Sequence, residues 1–160
     1  MLLYLLRHAY AEPYQADDFS RRLTKKGISQ AERVGNFLLS HGIFPDLILT
    51  SPVIRARETA KIVLEKLGEA SATTDLTEVP WLACGMNPEV ALKELSGCAK
   101  FDSVMIVGHE PDFSTLVATL IDLGRSDSID LSKASLTAID LLRIAPGCGV
   151  LRFFMPVKLV

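Results

Sequence analysis

Three short apolar runs, Leu2–Leu6, Leu47–Thr50 and Ser103–Val107, are separated by stretches whose apolar residues recur at helical spacing. Runs of four to six residues, ended by polar or turn residues, have the length of buried strands rather than helices. Thr24 is placed to cap a helix running to about Ser40. Its stripe is Ile28, Ala31, Val34 or Gly35, and Leu38, and Gly42 stops it. After Ser51-Pro52 a second helix runs to about Leu67, with Ala56, Ala60, Val63, Leu64 and Leu67 on one face and Gly68 at its end. Within the weakly patterned segment 70–87, part of 72–79 reads as a short strand. Pro88 suits the first position of a short helix through Leu95. A helix starting near Asp112 places Phe113, Leu116, Val117, Leu120 and Ile121 together. Two further strands, near Leu136–Leu142 and Val150–Val157, flank the turn residues Pro146-Gly147-Cys148-Gly149. Strands alternating with helices predict an α/β fold, its sheet covered on both faces.

The 160 residues suggest a single domain over 1–160, without repeats or long linkers. A formal net charge of -2 argues against a nucleic-acid partner, which selects for basic excess. The N-terminal apolar run is too short for a signal-peptide core or a membrane span, and no other stretch is long enough, so no membrane association is expected. Cys84, Cys98 and Cys148 are odd in number and widely spaced, which suggests neither disulfides nor a metal site. They read as small buried apolar residues in a reducing cytoplasm.

In a sheet of this kind, ligands bind beyond the carboxyl ends of the strands. Arg7 and His8 follow the first strand, Ser51 and Arg55 the second, and His109 the central one. Three loops are therefore expected to bring two histidines and two arginines to one sheet edge. His41, before Gly42, is the contrast: a cation suited to a helix C-terminus. Two guanidinium forks make a pocket for a phosphate dianion. A neutral imidazole beside them can attack phosphorus and carry the phosphoryl group. The arginines supply the charge that magnesium often supplies, so no metal and no cofactor is expected. They are also expected to depress the His8 pKa, with a carboxylate or a backbone carbonyl fixing its tautomer.

These residues lie in recognisable motifs. Leu5-Leu6-Arg7-His8-Ala9 resembles the first signature of the histidine phosphatase superfamily, Leu49 to Ala60 its second, and Val107-Gly108-His109-Glu110-Pro111 its third. The resemblance implies a three-layer α/β/α sandwich with a mostly parallel central sheet, of the phosphoglycerate mutase-like type. It implies His8 as nucleophile, with Arg7, Arg55 and His109 forming the phosphate pocket. The short length and the segment Asp18…Arg21-Arg22-Leu23-Thr24-Lys25-Lys26-Gly27 resemble the SixA-type phosphohistidine phosphatases. By that resemblance Asp18 and Arg21 or Arg22 line or brace the mouth of the pocket; the bland alternative is a helix cap with a solvated basic face.

The chain departs from the mutase and sugar-phosphatase branches, which carry a glutamate as general acid. Glu78 and Glu12 are the candidates here. Phosphohistidine needs such an acid less than an ester does, because imidazole is a far weaker base than an alkoxide. Removal of phosphate from a phosphohistidine-bearing protein is therefore the favoured activity. A small-molecule phosphomonoesterase or mutase, or a phosphate-binding module that turns over slowly, are the alternatives. Oligomeric state is not encoded in any recognisable feature.

Overall fold

The computed structural model describes residues 1–14 and 17–160; Gln15 and Ala16, in the polar loop expected after the first strand, lie outside the described residues. Six strands form one sheet: β1 (Leu2–Arg7), β2 (Leu47–Thr50), β3 (Asp75–Glu78), β4 (Ser103–Gly108), β5 (Leu136–Leu141) and β6 (Gly149–Met155). Their spatial order is β3-β2-β4-β1-β5-β6. The first four pair in parallel, and β5 is antiparallel to both β1 and β6. The helices are α1 (Lys25–Ser40), α2 (Ile54–Leu67), α3 (Pro88–Ser96) and α4 (Asp112–Leu120).

Successive side chains of a strand point to opposite faces, and here each face has its own core. Leu3, Leu5, Val104 and Ile106 pack with Ala91, Leu95, Phe113 and Leu116 of α3 and α4. Tyr4, Leu6, Met105 and Val107 pack with Ala31, Leu38, Ala60 and Val63 of α1 and α2. The result is an α/β/α sandwich with the mostly parallel sheet that the resemblance implies. The central strands β1 and β4 are apolar along nearly their whole length because both faces are covered.

Local chemistry sets the helix ends. Thr24 caps α1 by accepting the Gly27 N–H at 3.2 Å. Gly42 and Gly68 take the left-handed backbone that ends α1 and α2, at φ 66° and 56°. His41 sits at the C-cap of α1, where its ring stacks on Phe37.

Two expectations need correction. Ile28 is exposed; the α1 stripe closes instead on Gly27, Ala31, Val34, Gly35 and Leu38, because α1 approaches its neighbours through glycine. Leu64 and Ile121 lie on the expected faces and pack, partly buried, against the cores. The cysteines are not core residues: Cys84 is exposed and Cys98 and Cys148 are half-buried, all three as free thiols. Among the described residues no helix is long and apolar enough to cross a membrane.

Candidate active site

The carboxyl ends of β1, β2 and β4 lie side by side, and the polar residues that follow them meet there. Arg7 is the last residue of β1. His8 follows, tied by its N–H to the Gly108 carbonyl at the end of β4. Ala9 donates its N–H to Thr59 of α2. Ser51 leaves β2 and is held by the Val107 carbonyl. Arg55 comes from the first turn of α2, not from a loop, and only 3% of it is exposed. His109 follows β4 and is 2% exposed.

The His8 ring has a defined proton arrangement. Its Nδ1 lies 2.8 Å from the Ala9 carbonyl oxygen. A carbonyl only accepts, so Nδ1 carries the hydrogen and Nε2 the lone pair. Two cations face that lone pair: Arg55 Nε donates to Nε2 at 3.2 Å, and Lys133 Nζ lies 3.2 Å from it. The His109 ring is 5.2 Å away, centroid to centroid. Its Nε2 lies 2.8 Å from Ser51 Oγ, while its buried Nδ1 has no partner among the described residues.

Burial is the main cause that pushes the His8 pKa down to about 2, followed by the charges of Lys133 and His109; Arg55 contributes less. The sequence expectation that the arginines depress it therefore misplaces the main cause. An imidazole walled in by β1, β4 and α2 loses the water that would stabilise its charged form. His109 is lowered to about 3, again mainly by burial, then by Arg55 and Lys133. Burial, then Arg7, Arg55 and Arg21, lowers Lys133 to about 8.

Asp18 binds both Arg55 and Arg21. Its carboxylate receives Arg55 Nη2 at 2.9 Å and faces Arg21 Nε at 2.8 Å, and its carbonyl accepts from Arg55 Nη1. Arg21 also bonds the Glu12 carbonyl at 3.0 Å. Arg22 points elsewhere, to Glu58. Arg7 turns its guanidinium onto the Leu131 carbonyl, and its Nε is buried without a partner among the described residues. It lies within electrostatic reach of His109 and Lys133.

Neither candidate acid is among the hydrogen-bond partners of His8. The Glu78 carboxylate pairs with Arg57, and that of Glu12 accepts the Arg22 N–H. Lys133 was not legible in the sequence: it stands in a polar stretch before β5, and only the antiparallel addition of β5 beside β1 brings it to His8. Cys84 was missed likewise; its Sγ lies 3.5 Å from Arg55 Nη2. Among the described residues no cluster of three histidine, cysteine or acidic side chains is placed to hold a metal ion.

Comparison with solved structures places this architecture in the phosphoglycerate mutase-like class. The fold superimposes on the protein histidine phosphatase SixA complexed with tungstate, with a TM-score of 0.87 and 23% identity, over 99% of this chain and 98% of that one. It also superimposes on the alpha-ribazole phosphatase of Shigella flexneri, with a TM-score of 0.78 and 20% identity, over 98% and 97%. At these identities the likeness is one of fold. A model of the histidine phosphatase superfamily (branch 1) matches residues 3–95, and the chain belongs to that superfamily. An uncharacterized protein of Picosynechococcus sp. is 29% identical over 147 residues, covering 87% of this chain and 84% of that protein. The 2,3-bisphosphoglycerate-dependent phosphoglycerate mutase of Clavibacter michiganensis is 36% identical over 72 residues, only 29% of its own length.

Proposed function

We propose that this chain is a phosphohistidine phosphatase working through a phosphorylated His8. The carrying observation is the state of His8 Nε2: buried, uncharged, faced by two cations, with no carboxyl group among its hydrogen-bond partners. On this reading Nε2 attacks phosphorus as the nitrogen–phosphorus bond of the substrate breaks. Nδ1–H stays on the Ala9 carbonyl, which supports the positive charge that the ring gains. A phosphohistidine ring protonated on its far nitrogen leaves as neutral imidazole and needs no enzymatic acid. Water then displaces phosphate from Nε2.

The phosphoryl oxygens would be met by Arg55, by Arg7 and by His109. If Ser51 donates to His109 Nε2, the orphaned Nδ1 carries a hydrogen directed at one of those oxygens. Asp18 and Arg21 hold the Arg55 fork in place. No metal and no cofactor enters this scheme. The likeness to SixA supports a phosphohistidine-bearing protein as the partner. Three free thiols support a reducing cytoplasm as its place. We read residues 1–160 as one such domain.

A second reading, hydrolysis of a small phosphomonoester, draws on Glu110. It is half-buried beside His109, and burial raises its pKa against the opposing effects of the Ser114 N–H that its carboxylate accepts and of Arg7. A carboxyl that keeps its proton longer suits an acid for an alkoxide leaving group. The likeness to the alpha-ribazole phosphatase points the same way.

A substrate panel separates the two, assayed in chelator: a phosphorylated histidine phosphotransfer domain, free phosphohistidine and several sugar phosphates. The first is expected to be hydrolysed fastest, with His8→Ala abolishing both turnover and acid-labile labelling. Arg55→Ala is expected to cost about 3 kcal/mol of transition-state stabilisation. Hydrolysis of esters alone, lost in Glu110→Gln, would overturn the substrate assignment in favour of the second reading. Acid-stable label on another residue would remove His8 as nucleophile.

A further inference from the structure

Arg55 and Lys133 approach the same nitrogen from different parts of the fold. Arg55 comes from α2, on the β2 side of β1; Lys133 comes from the stretch before β5, on the other side. One imidazole lone pair cannot satisfy two donors at once, and both contacts are long, at 3.2 Å. The two cations therefore bracket the space in front of the lone pair, the space an incoming phosphorus must occupy.

Lys133 is held there by its backbone. The next residue, Ala134, donates its N–H to the His8 carbonyl, and Ser135 accepts from the Arg7 N–H. Ala134 is buried and takes a left-handed φ of 57°, a conformation that costs a residue with a Cβ roughly 1 kcal/mol. Local strain fixed by hydrogen bonds to the two residues of the Arg7-His8 motif is a common mark of a functional site.

Resting on the phosphatase reading above, we propose that Lys133 is a ligand of the transferred phosphoryl group, clamping its equatorial oxygens opposite Arg55. When phosphorus comes up to Nε2, the ammonium is displaced from the nitrogen onto an oxygen carried by that phosphorus. A phosphoryl dianion is the ligand class that suits this geometry. It gives three equatorial oxygens, with several lone pairs, to share among Arg55, Arg7, His109 and Lys133, and its charge offsets the cluster of cations that faces Lys133.

The pH dependence follows from that cluster. Lys133 is faced by Arg7, Arg55 and Arg21, by the Asp18 carboxylate, which opposes them, and by the neutral His8 and His109. In the free protein it loses its charge as pH rises through about 8. Cys84, near Arg55, is exposed at the residue level but partly desolvated at its sulfur, which holds the thiol above its usual range, so its thiolate forms later.

Calorimetric binding of inorganic phosphate to the full chain tests this, comparing wild type, Lys133→Met, Lys133→Arg and Arg55→Ala, with circular dichroism to confirm folding. Lys133→Met is expected to weaken binding by about tenfold or more at pH 7, as for a lost charge-assisted hydrogen bond, and Lys133→Arg to recover part of it. Between pH 8 and pH 9.5, where inorganic phosphate is already the dianion, wild-type affinity should fall, whereas that of Lys133→Met should stay nearly level. If Arg55→Ala weakens binding while Lys133→Met matches wild type in affinity and pH profile, Lys133 is not a ligand, though the phosphatase reading stands. If wild type binds no phosphate, both fail together.

Discussion

Ser51 holds His109 from behind, with its Oγ 2.8 Å from Nε2 and 3.2 Å from the Val53 N–H that it accepts. The residue is fully buried, so neither bond can be replaced by water without a rearrangement. Ser51→Ala leaves two buried polar groups without partners, a loss of about 1–3 kcal/mol in stability. It also frees the His109 tautomer. We expect turnover to fall about 10-fold to 100-fold, as when a residue that orients a proton-bearing group is lost. Nitrogen-15 NMR of the imidazoles should show His109 losing its single tautomer. An unchanged His109 spectrum in Ser51→Ala would mean that the ring is oriented by packing alone. Glu78 and Glu12 contrast with Ser51. Their charges are engaged by Arg57 and by the Arg22 N–H, and nothing directs either one at His8.

At the scale of elements, the junction of α1 with the loop after His8 explains the Leu23-Thr24-Lys25-Lys26-Gly27 segment. The Tyr10 carbonyl accepts from both the N–H and the hydroxyl of Thr24. Gly27, one turn into α1, lies so close that a Cβ there would stand 1.9 Å from that carbonyl oxygen. Thr24 thus caps the helix and anchors the loop, and Gly27 leaves room for the loop to dock two residues after His8. The cap and the anchor of the loop after His8 are one structure. Gly27→Ala would gain about 1 kcal/mol in helix propensity. It would lose more than that by forcing backbone apart, since overpacking typically costs about 1–3 kcal/mol. We expect a lower melting temperature together with reduced phosphohistidine hydrolysis; a raised melting temperature would contradict the close approach.

At the scale of the whole molecule, enclosing two imidazoles between the layers makes stability depend on pH. Both have folded pKa values below that of a free histidine, at about 2 and about 3. As pH falls through about 6.5, the unfolded chain takes up protons on these residues and the folded chain does not, so acid favours unfolding. The destabilisation is absent above that range and grows until the folded values are reached. Between pH 7 and pH 5 each histidine contributes a loss of about 2 kcal/mol. Urea unfolding at the two pH values should show both contributions, and His109→Gln should remove one. Equal slopes for wild type and His109→Gln would show that His109 is charged or solvated in the folded chain.

Legibility differed between the fold and the site for a physical reason. Strands β1, β2 and β4 are buried on both faces, so their sequences are continuous apolar runs, visible without knowledge of their neighbours. The helix caps at Thr24, Gly42 and Gly68 are local hydrogen-bond or backbone requirements, also written in adjacent residues. Strand β3, with no buried residue and three exposed ones at the sheet edge, has little apolar signal and was only partly legible. Residues at or next to strand ends, Arg7, His8, Ser51 and His109, with Arg55 in the first turn of the helix after β2, could be read as a group, because the element that positions each is adjacent in the chain. Lys133, Cys84 and the partners of Asp18 belong to the tertiary structure alone. Their places depend on how distant segments pack across the sheet, and no local pattern carries that; the same packing removed the water that would have left the two histidines with ordinary pKa values.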